Sequence, residues 1–469
     1  MAYVVVEDFR LGLDTRRSLL VAPAGSLQKC QNAHINRGGE IEKRKALVAK
    51  YSLPVGTFGL ATTGSGRYVF GSGASPSGLP AGVTYQQLAH PTAATAMSAI
   101  LDTTTFDGKV FAIAQYENGD IFPFYNGTLI AAFQSGSGAP VAGLQPTCCL
   151  AFGKKVYVGI GSKIYFCKID DPTDWSGTGA GNIPLNNTYA GSTGVTGIGV
   201  FGSSLVFYAG LATQIWYIDP DPTLNRQLQT LPNIGTTAQR SVVQFGDTDS
   251  FMLAYSGVRS IRPRSGSDNG TISDIGTPVD TLLIAAMRAA GATATAAAAG
   301  NLDPNDGRYM LAIGGTVYCF TYFDASKISA WSTYVPGFTI TDWANFNNQV
   351  FCRAGDTIYL LGGDTGEEYD ESEVIVDLPY IDARKSATMK SLHGIDIALE
   401  GVWQVYVGTD PENPDTRELV GTVRESTFQF DKATMDVLGP AVQIRLVNNS
   451  SGAAKVSMVV VHYEPHPTR

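Results

Sequence analysis

The sequence predicts an all-β chain built around a β-propeller, and three observations carry that prediction. The first is composition: of 469 residues, 44% are hydrophobic and only 16% charged, and 52 glycines accompany 21 tyrosines and 21 phenylalanines. Such a mixture favours many short strands joined by tight turns. The second is a unit that recurs from residue 47 to residue 370, in which an apolar strand ends in Phe-Gly or Phe-Asn, a turn follows, and two more strands complete a meander. The third is the spacing of the aligned phenylalanines, about 45 to 50 residues with one double interval, which matches a propeller blade.

The clearest units open at residues 148–153 and 198–202, where Phe152-Gly153 and Phe201-Gly202 precede strands at 156–159, 164–166, 205–208 and 215–217. Further copies open at 242–246 and 343–347 and end in Phe245-Gly246 and Phe346-Asn347. Upstream, strands at 111–116 and 121–125 flank Asn118-Gly119, a strong hairpin signal, and Asn126-Gly127 starts the next turn. The double interval holds residues 281–299, the one long helix-favouring stretch, with Leu282, Leu283, Ile284, Met287 and a run of alanines. Strands at 309–313 and 317–320 follow, so the helix reads as an insertion that displaces the first strand of a blade. The count comes to roughly six or seven blades. A ring of small sheets also lets a chain of this length fold without one large core.

Three regions result. Residues 1–46 carry many charges and few turn glycines, and read as an extended N-terminal arm. Residues 47–370 form the propeller, with the helical insertion near 280–300. Residues 371–469 follow an acidic stretch and change period. Alternating strands at 395–399, 403–407, 426–430, 442–446 and 455–461 predict a sandwich-like C-terminal β domain.

A net charge of -9 argues against a protein that grips DNA electrostatically, since that needs a basic face to displace counterions. It leaves room for a conduit, whose wall gains from weak repulsion. Six cysteines, at 30, 148, 149, 167, 319 and 352, form no C-x-x-C pair and read as buried thiols suited to a reducing cytoplasm. No metal or other cofactor is expected. Residues 1–9 have neither the basic region nor the apolar core of a secretory signal, and no stretch reaches the length of a membrane span, so neither leader nor membrane anchor is expected.

No set of residues spells out catalysis. His34 has no nucleophile or carboxylate partner that spacing can name, and reads as structural. Residues 303–307 resemble a calcium loop but lack the closing acidic residue, and read as a β-turn before Tyr309. Residues 265–270 read as a surface turn, and Trp175, Trp216, Trp331, Trp343 and Trp403 as core. The candidate contacts to a partner are cations of the arm: Arg16, Arg17, Arg37, Lys43, Arg44 and Lys45, against the alternative of ordinary solvated strands in which Glu40 and Glu42 alternate with the lysines.

The arm, residues 8–47, resembles the opening of the tail hub and nozzle proteins of short-tailed bacteriophages, the packaged-DNA stabilisation and tail tubular protein B type. Phe9, Gly12, Gly25, Asn32, Gly39 and Arg44 fall on that pattern, and residues 162–175 and 394–414 resemble phrases from the propeller and final β domain of such proteins. The resemblance implies a non-enzymatic virion protein, assembled in the host cytoplasm and placed in the tail. There it forms a sixfold ring that lines and closes the DNA exit channel below the portal and adaptor. Its implied partners are its own copies, the portal or adaptor, other tail proteins such as fibres or needle, and passing DNA bound without sequence preference. The alternative from the same architecture is a tail propeller that binds or cleaves glycans during host recognition, which would need paired carboxylates in a concave site.

Overall fold

The computed structural model describes residues 2–92, 94–130, 145–185, 194–246, 249–263, 270–385, 388–413, 415–427 and 433–466. Within them the chain is a seven-bladed β-propeller joined to a two-sheet sandwich.

Blade 1 has strands Phe58–Thr63, Gly66–Gly71 and Val83–Gln87, the last pairing parallel to the second. Blades 2 to 6 are four-stranded meanders whose first strands are Met97–Phe106, Pro146–Phe152, Gly197–Phe201, Val243–Phe245 and Ala299–Asp303. Blade 7 runs Asp342–Phe346, Gln349–Ala354 and Thr357–Leu361, and takes its fourth strand, Leu47–Ser52, from the start of the chain. The first strand of each blade touches the first strand of the next, and that of blade 7 touches that of blade 1. The ring is therefore closed, with its last blade completed by an N-terminal strand.

The recurring phenylalanine marks the same point in five of the seven blades. Phe106, Phe152, Phe201, Phe245 and Phe346 each end a first strand. Behind three of them the two turn residues both have positive φ: Asp107 and Gly108, Gly153 and Lys154, Asn347 and Asn348. That is the backbone of the tight hairpin turn whose twist matches paired strands, and it explains the recurrence of Gly, Asn and Asp there.

Seven apolar clusters lie between blades, one per neighbouring pair. Phe70, Ile100 and Phe124 fill the gap between blades 1 and 2, for example, and Leu60, Val69, Phe351 and Leu360 that between blades 7 and 1. Each sheet is buried on both faces by its neighbours, so core is added one blade at a time.

The double interval differs in one respect from the sequence expectation. The helix is Asp280–Ala296, broken at Gly291, where φ is 82 and ψ is 170. Ala299 already belongs to the first strand of blade 6, and residues 309–313 lie in its second strand, Arg308–Ile313. The helix precedes a complete blade and displaces nothing. The strand sequence Ala-Gly-Asn-Leu-Asp lacks the apolar pattern of its counterparts, and the adjoining alanines mask it.

The sandwich draws on both ends of the chain. One sheet contains Ala2–Val6, Ala33–Ile35 and Ile41–Lys43 with Lys390–Glu400, Ala433–Gly439 and Lys455–Pro465. The other contains Lys29–Gln31 with Val374–Asp377, Trp403–Gly408, Glu418–Val423 and Gln443–Asn448, and it continues into blade 6 through the pair Gln31 and Thr333. Phe9, Leu27, Cys30, Ile35 and Ile41 share one core with Ile397, Trp403, Ile444 and Val459. The arm is thus an integral third of the sandwich. Of the strand expected at 426–430, residues 428–430 lie outside the described residues, as do residues 265–269 of the expected surface turn; residues 426 and 427 are not in a strand.

Candidate functional sites at the arm junction

The arm is held by the residues of its motif. Phe9 is fully buried. Gly12 has φ +60, and a Cβ there would lie 2.7 Å from the Ala330 Cβ. Gly25 has φ +89, and a Cβ would lie 1.9 Å from the Asp8 carbonyl oxygen, so no other residue fits. Asn32 also has positive φ, 55, and its side chain accepts from the Val335 N–H at 2.8 Å and donates to the Glu373 carbonyl at 2.8 Å. Gly39 turns the hairpin between Ala33–Ile35 and Ile41–Lys43 at φ +83.

The six cations proposed from sequence bond mainly within the chain. Lys43 is buried and donates to Asn448 at 3.2 Å and to the Ser450 carbonyl. Arg44 is buried against Asn32 and pairs with Asp370 at 3.0 Å. Neither can present its charge to a partner, which corrects the expectation for these two: each is enclosed by acceptors of its own chain, Asn448 for Lys43 and Asn32 and Asp370 for Arg44. Lys45 pairs with Glu367 at 2.9 Å, and Arg37 donates to the Asn305 carbonyl at 2.9 Å while lying over the Phe323 ring. Arg16 and Arg17 remain more than half exposed, beside Asp280 and Asp14.

Several clefts open where the arm meets blade 6, and two of them are sizeable. The smaller, about 500 Å³, lies against blades 6 and 7 and contains a polar chain that sequence spacing could not connect. Arg308 donates to the Tyr334 hydroxyl at 2.9 Å, and that hydroxyl lies 3.0 Å from His34 Nδ1. A guanidinium only donates, so the tyrosine proton is free for the imidazole nitrogen, which fixes His34 as a neutral acceptor there. Burial, then the cations Arg308, Lys45 and Lys455, hold the His34 pKa well below its ordinary value. Residues 303–307 form the expected turn, with the Gly307 N–H donating to the Asp303 carbonyl at 2.9 Å. Among the described residues no group of three His, Cys, Asp or Glu side chains is placed to hold a metal ion.

The larger cleft, about 710 Å³, lies between the arm, the helix, blade 6 and the sandwich. Asp377 sits on its sandwich wall, where Arg445 takes both carboxylate oxygens at 2.6 and 2.7 Å and Arg417 approaches one at 3.3 Å. A third charged group lies at one end of the propeller ring, where Arg240 bridges from blade 5 to Asp342 of blade 7 at 2.8 Å.

The six cysteines are buried and free, and burial pushes their thiols up, Cys148 to about 12. Trp175, Trp331 and Trp403 are buried, and Trp216 and Trp343 pack against interblade cores. No helix among the described residues is long and apolar enough to cross a membrane.

By architecture the chain is a β-propeller protein. No protein-family model matches it, and no curated protein sequence does. Among solved structures it is similar to BamB from Moraxella catarrhalis, with a TM-score of 0.39 and 14% identity, covering 77% of this chain and 97% of that one. It is also similar to YCF48 bound to D1 peptide, with a TM-score of 0.38 and 12% identity, covering 67% and 96%. Raptor from Chaetomium thermophilum matches with a TM-score of 0.39 and 11% identity, covering 69% and 29%.

Proposed function

We propose that this chain is a structural protein of a short-tailed bacteriophage virion, a subunit of the ring that forms the tail hub or nozzle around the DNA exit path. One observation carries the reading. Of the six arm positions that resemble those proteins, Phe9, Gly12, Asn32 and Arg44 fasten the arm between propeller and sandwich, and Gly25 and Gly39 shape its turns. A motif used in this way is the signature of an architecture, a rigid propeller wedge tied to a sandwich, and not of a reaction. In a sixfold ring the wedges would line a channel between protomers, and the net charge of -9 suits a wall past which DNA slides. The portal or adaptor, and fibres or a needle, would flank the ring.

The test is electron microscopy of purified virions labelled with a gold-tagged antibody against this chain. Label on the tail axis near or below the portal is expected. Label on peripheral fibres, or none on intact particles when disrupted ones show an accessible epitope, overturns the reading.

A further inference from the structure

The larger cleft holds positive charge that the described residues do not neutralise. Asp377 is the buried carboxylate on its sandwich wall, and Arg445 occupies both of its oxygens. Arg417, whose side chain is 5% exposed, shares one of them and donates to Gln443 Oε1 at 2.8 Å, but its Nε and Nη1 make no hydrogen bond among the described residues. Its other acidic neighbour, Asp415, is 3.7 Å away on a side chain 99% exposed, where water screens it. Lys29 stands opposite Asp377 in the strand register, and its side chain forms no ion pair or hydrogen bond among the described residues. Three cations therefore meet one buried carboxylate, in a chain whose overall charge is -9.

Apolar side chains share the cleft with these charges, alongside Thr316 and Thr333. Leu282 of the helix and Val335 after the last strand of blade 6, with Tyr318, line the same cleft, and Leu282 and Val335 are 36% and 40% exposed. The volume, about 710 Å³, lies within the roughly 300–1,000 Å³ typical of small-molecule sites. A bare inorganic anion would leave these apolar side chains wet, and a neutral apolar molecule would leave the cations uncompensated.

We propose that the larger cleft binds a small organic anion, an apolar body ending in a carboxylate, with Lys29, Arg417 and Arg445 at the anionic end and Leu282, Tyr318 and Val335 along the body. The inference is independent of the virion reading, since it rests on this cleft alone.

Calorimetric titration of the full chain tests it, with octanoate as probe and acetate, octanol and inorganic phosphate as comparisons. Saturable octanoate binding is expected, with the three comparisons about tenfold weaker or more. Lys29→Ala removes a charge with no partner among the described residues, so the fold is kept, and it should weaken octanoate about tenfold. Val335→Asp should weaken it as well. Absence of saturable octanoate binding overturns the proposal, as does unchanged affinity in both variants. Phosphate binding as tightly as octanoate overturns the apolar half.

Discussion

Asn32 and Arg44 grip each other across the base of the arm hairpin. The Arg44 backbone N–H donates to the Asn32 carbonyl at 2.9 Å, and Arg44 Nε donates to Asn32 Oδ1 at 3.2 Å. Through Asn32 the pair reaches blade 6 at Thr333 and Val335, and through Arg44 it reaches Asp370 before the sandwich. Two residues thereby tie three parts of the chain.

Removing either should loosen the arm. Arg44→Ala leaves Asp370 and Asn32 without their buried donor, and a loss of about 2–4 kcal/mol is expected. Burial pushes the Asp370 carboxyl up, and Ser372 and Arg44 outweigh that push, so its pKa lies below the ordinary value. That carboxylate is therefore charged at neutral pH and needs its partner. Urea denaturation followed by tryptophan fluorescence, which reports Trp403 in the sandwich core, checks the midpoint. A midpoint equal to that of the wild type would show the arm is fastened elsewhere.

Gly25→Ala should be worse than an ordinary glycine substitution. The position combines φ +89 with a carbonyl oxygen 1.9 Å from the would-be Cβ, so backbone strain of about 1–3 kcal/mol adds to a clash that only movement of residue 8 can relieve. Faster tryptic cleavage within the arm, at Arg16 or Arg17, is the expected readout, because both already lie exposed. Gly56→Ala provides the contrast: φ is +86, but nothing among the described residues lies within 4 Å, so strain alone remains.

His34 makes the junction sensitive to acid. Its folded pKa lies well below the ordinary 6.5, so below about pH 6.5 the unfolded chain takes a proton that the folded chain refuses. Stability contributed by this group is present above pH 6.5 and is lost as pH falls toward the folded value, by up to about 1.4 kcal/mol per pH unit. His34→Asn should remove that slope. Chemical denaturation at pH 7, 6 and 5 compares the two proteins, and parallel curves would mean that His34 does not stay neutral in the fold.

Much of the propeller is legible in the sequence because its signals are local. Phe152 followed by Gly153 and Lys154 reports a strand end and a hairpin turn within three residues. The first strand of blade 6 is not legible, since Gly300 and Asn301 carry no apolar alternation and the alanines before them favour a helix. The arm hides for a different reason. Its strands are two to five residues long, and several pair with partners more than 300 residues away, as Lys29 does with Asp377 and Ile41 with Val456. Charge density there reads as exposure, yet Lys43 and Arg44 are buried because Asn448 and Asp370 come to meet them. A comparably long stretch of sequence separates Tyr334 and Arg308 from His34, and the cleft they form depends wholly on that pairing.

Asp102 tests the propeller ring itself, with the opposite sign to His34. It lies buried in the first strand of blade 2 and accepts from the Cys149 N–H of blade 3 at 2.8 Å and from the Thr103 N–H at 2.9 Å. Burial raises its pKa to about 6, against the lowering pull of those donors and of Arg240. Between the ordinary 3.8 and about 6 the folded chain holds a proton that the unfolded chain has lost, so stability falls as pH rises through this window. Above it the carboxylate is charged in a buried site. Asp102→Asn keeps an acceptor for Cys149 and cannot ionise, so relative to wild type it should gain stability steadily from pH 4 to pH 6 and hold that gain at pH 7. The gain should approach about 1.4 kcal/mol for each pH unit crossed. Denaturation midpoints of both proteins at pH 4, 5, 6 and 7 provide the comparison, and a difference that does not change with pH would place the Asp102 pKa at its ordinary value and remove burial as its controlling influence.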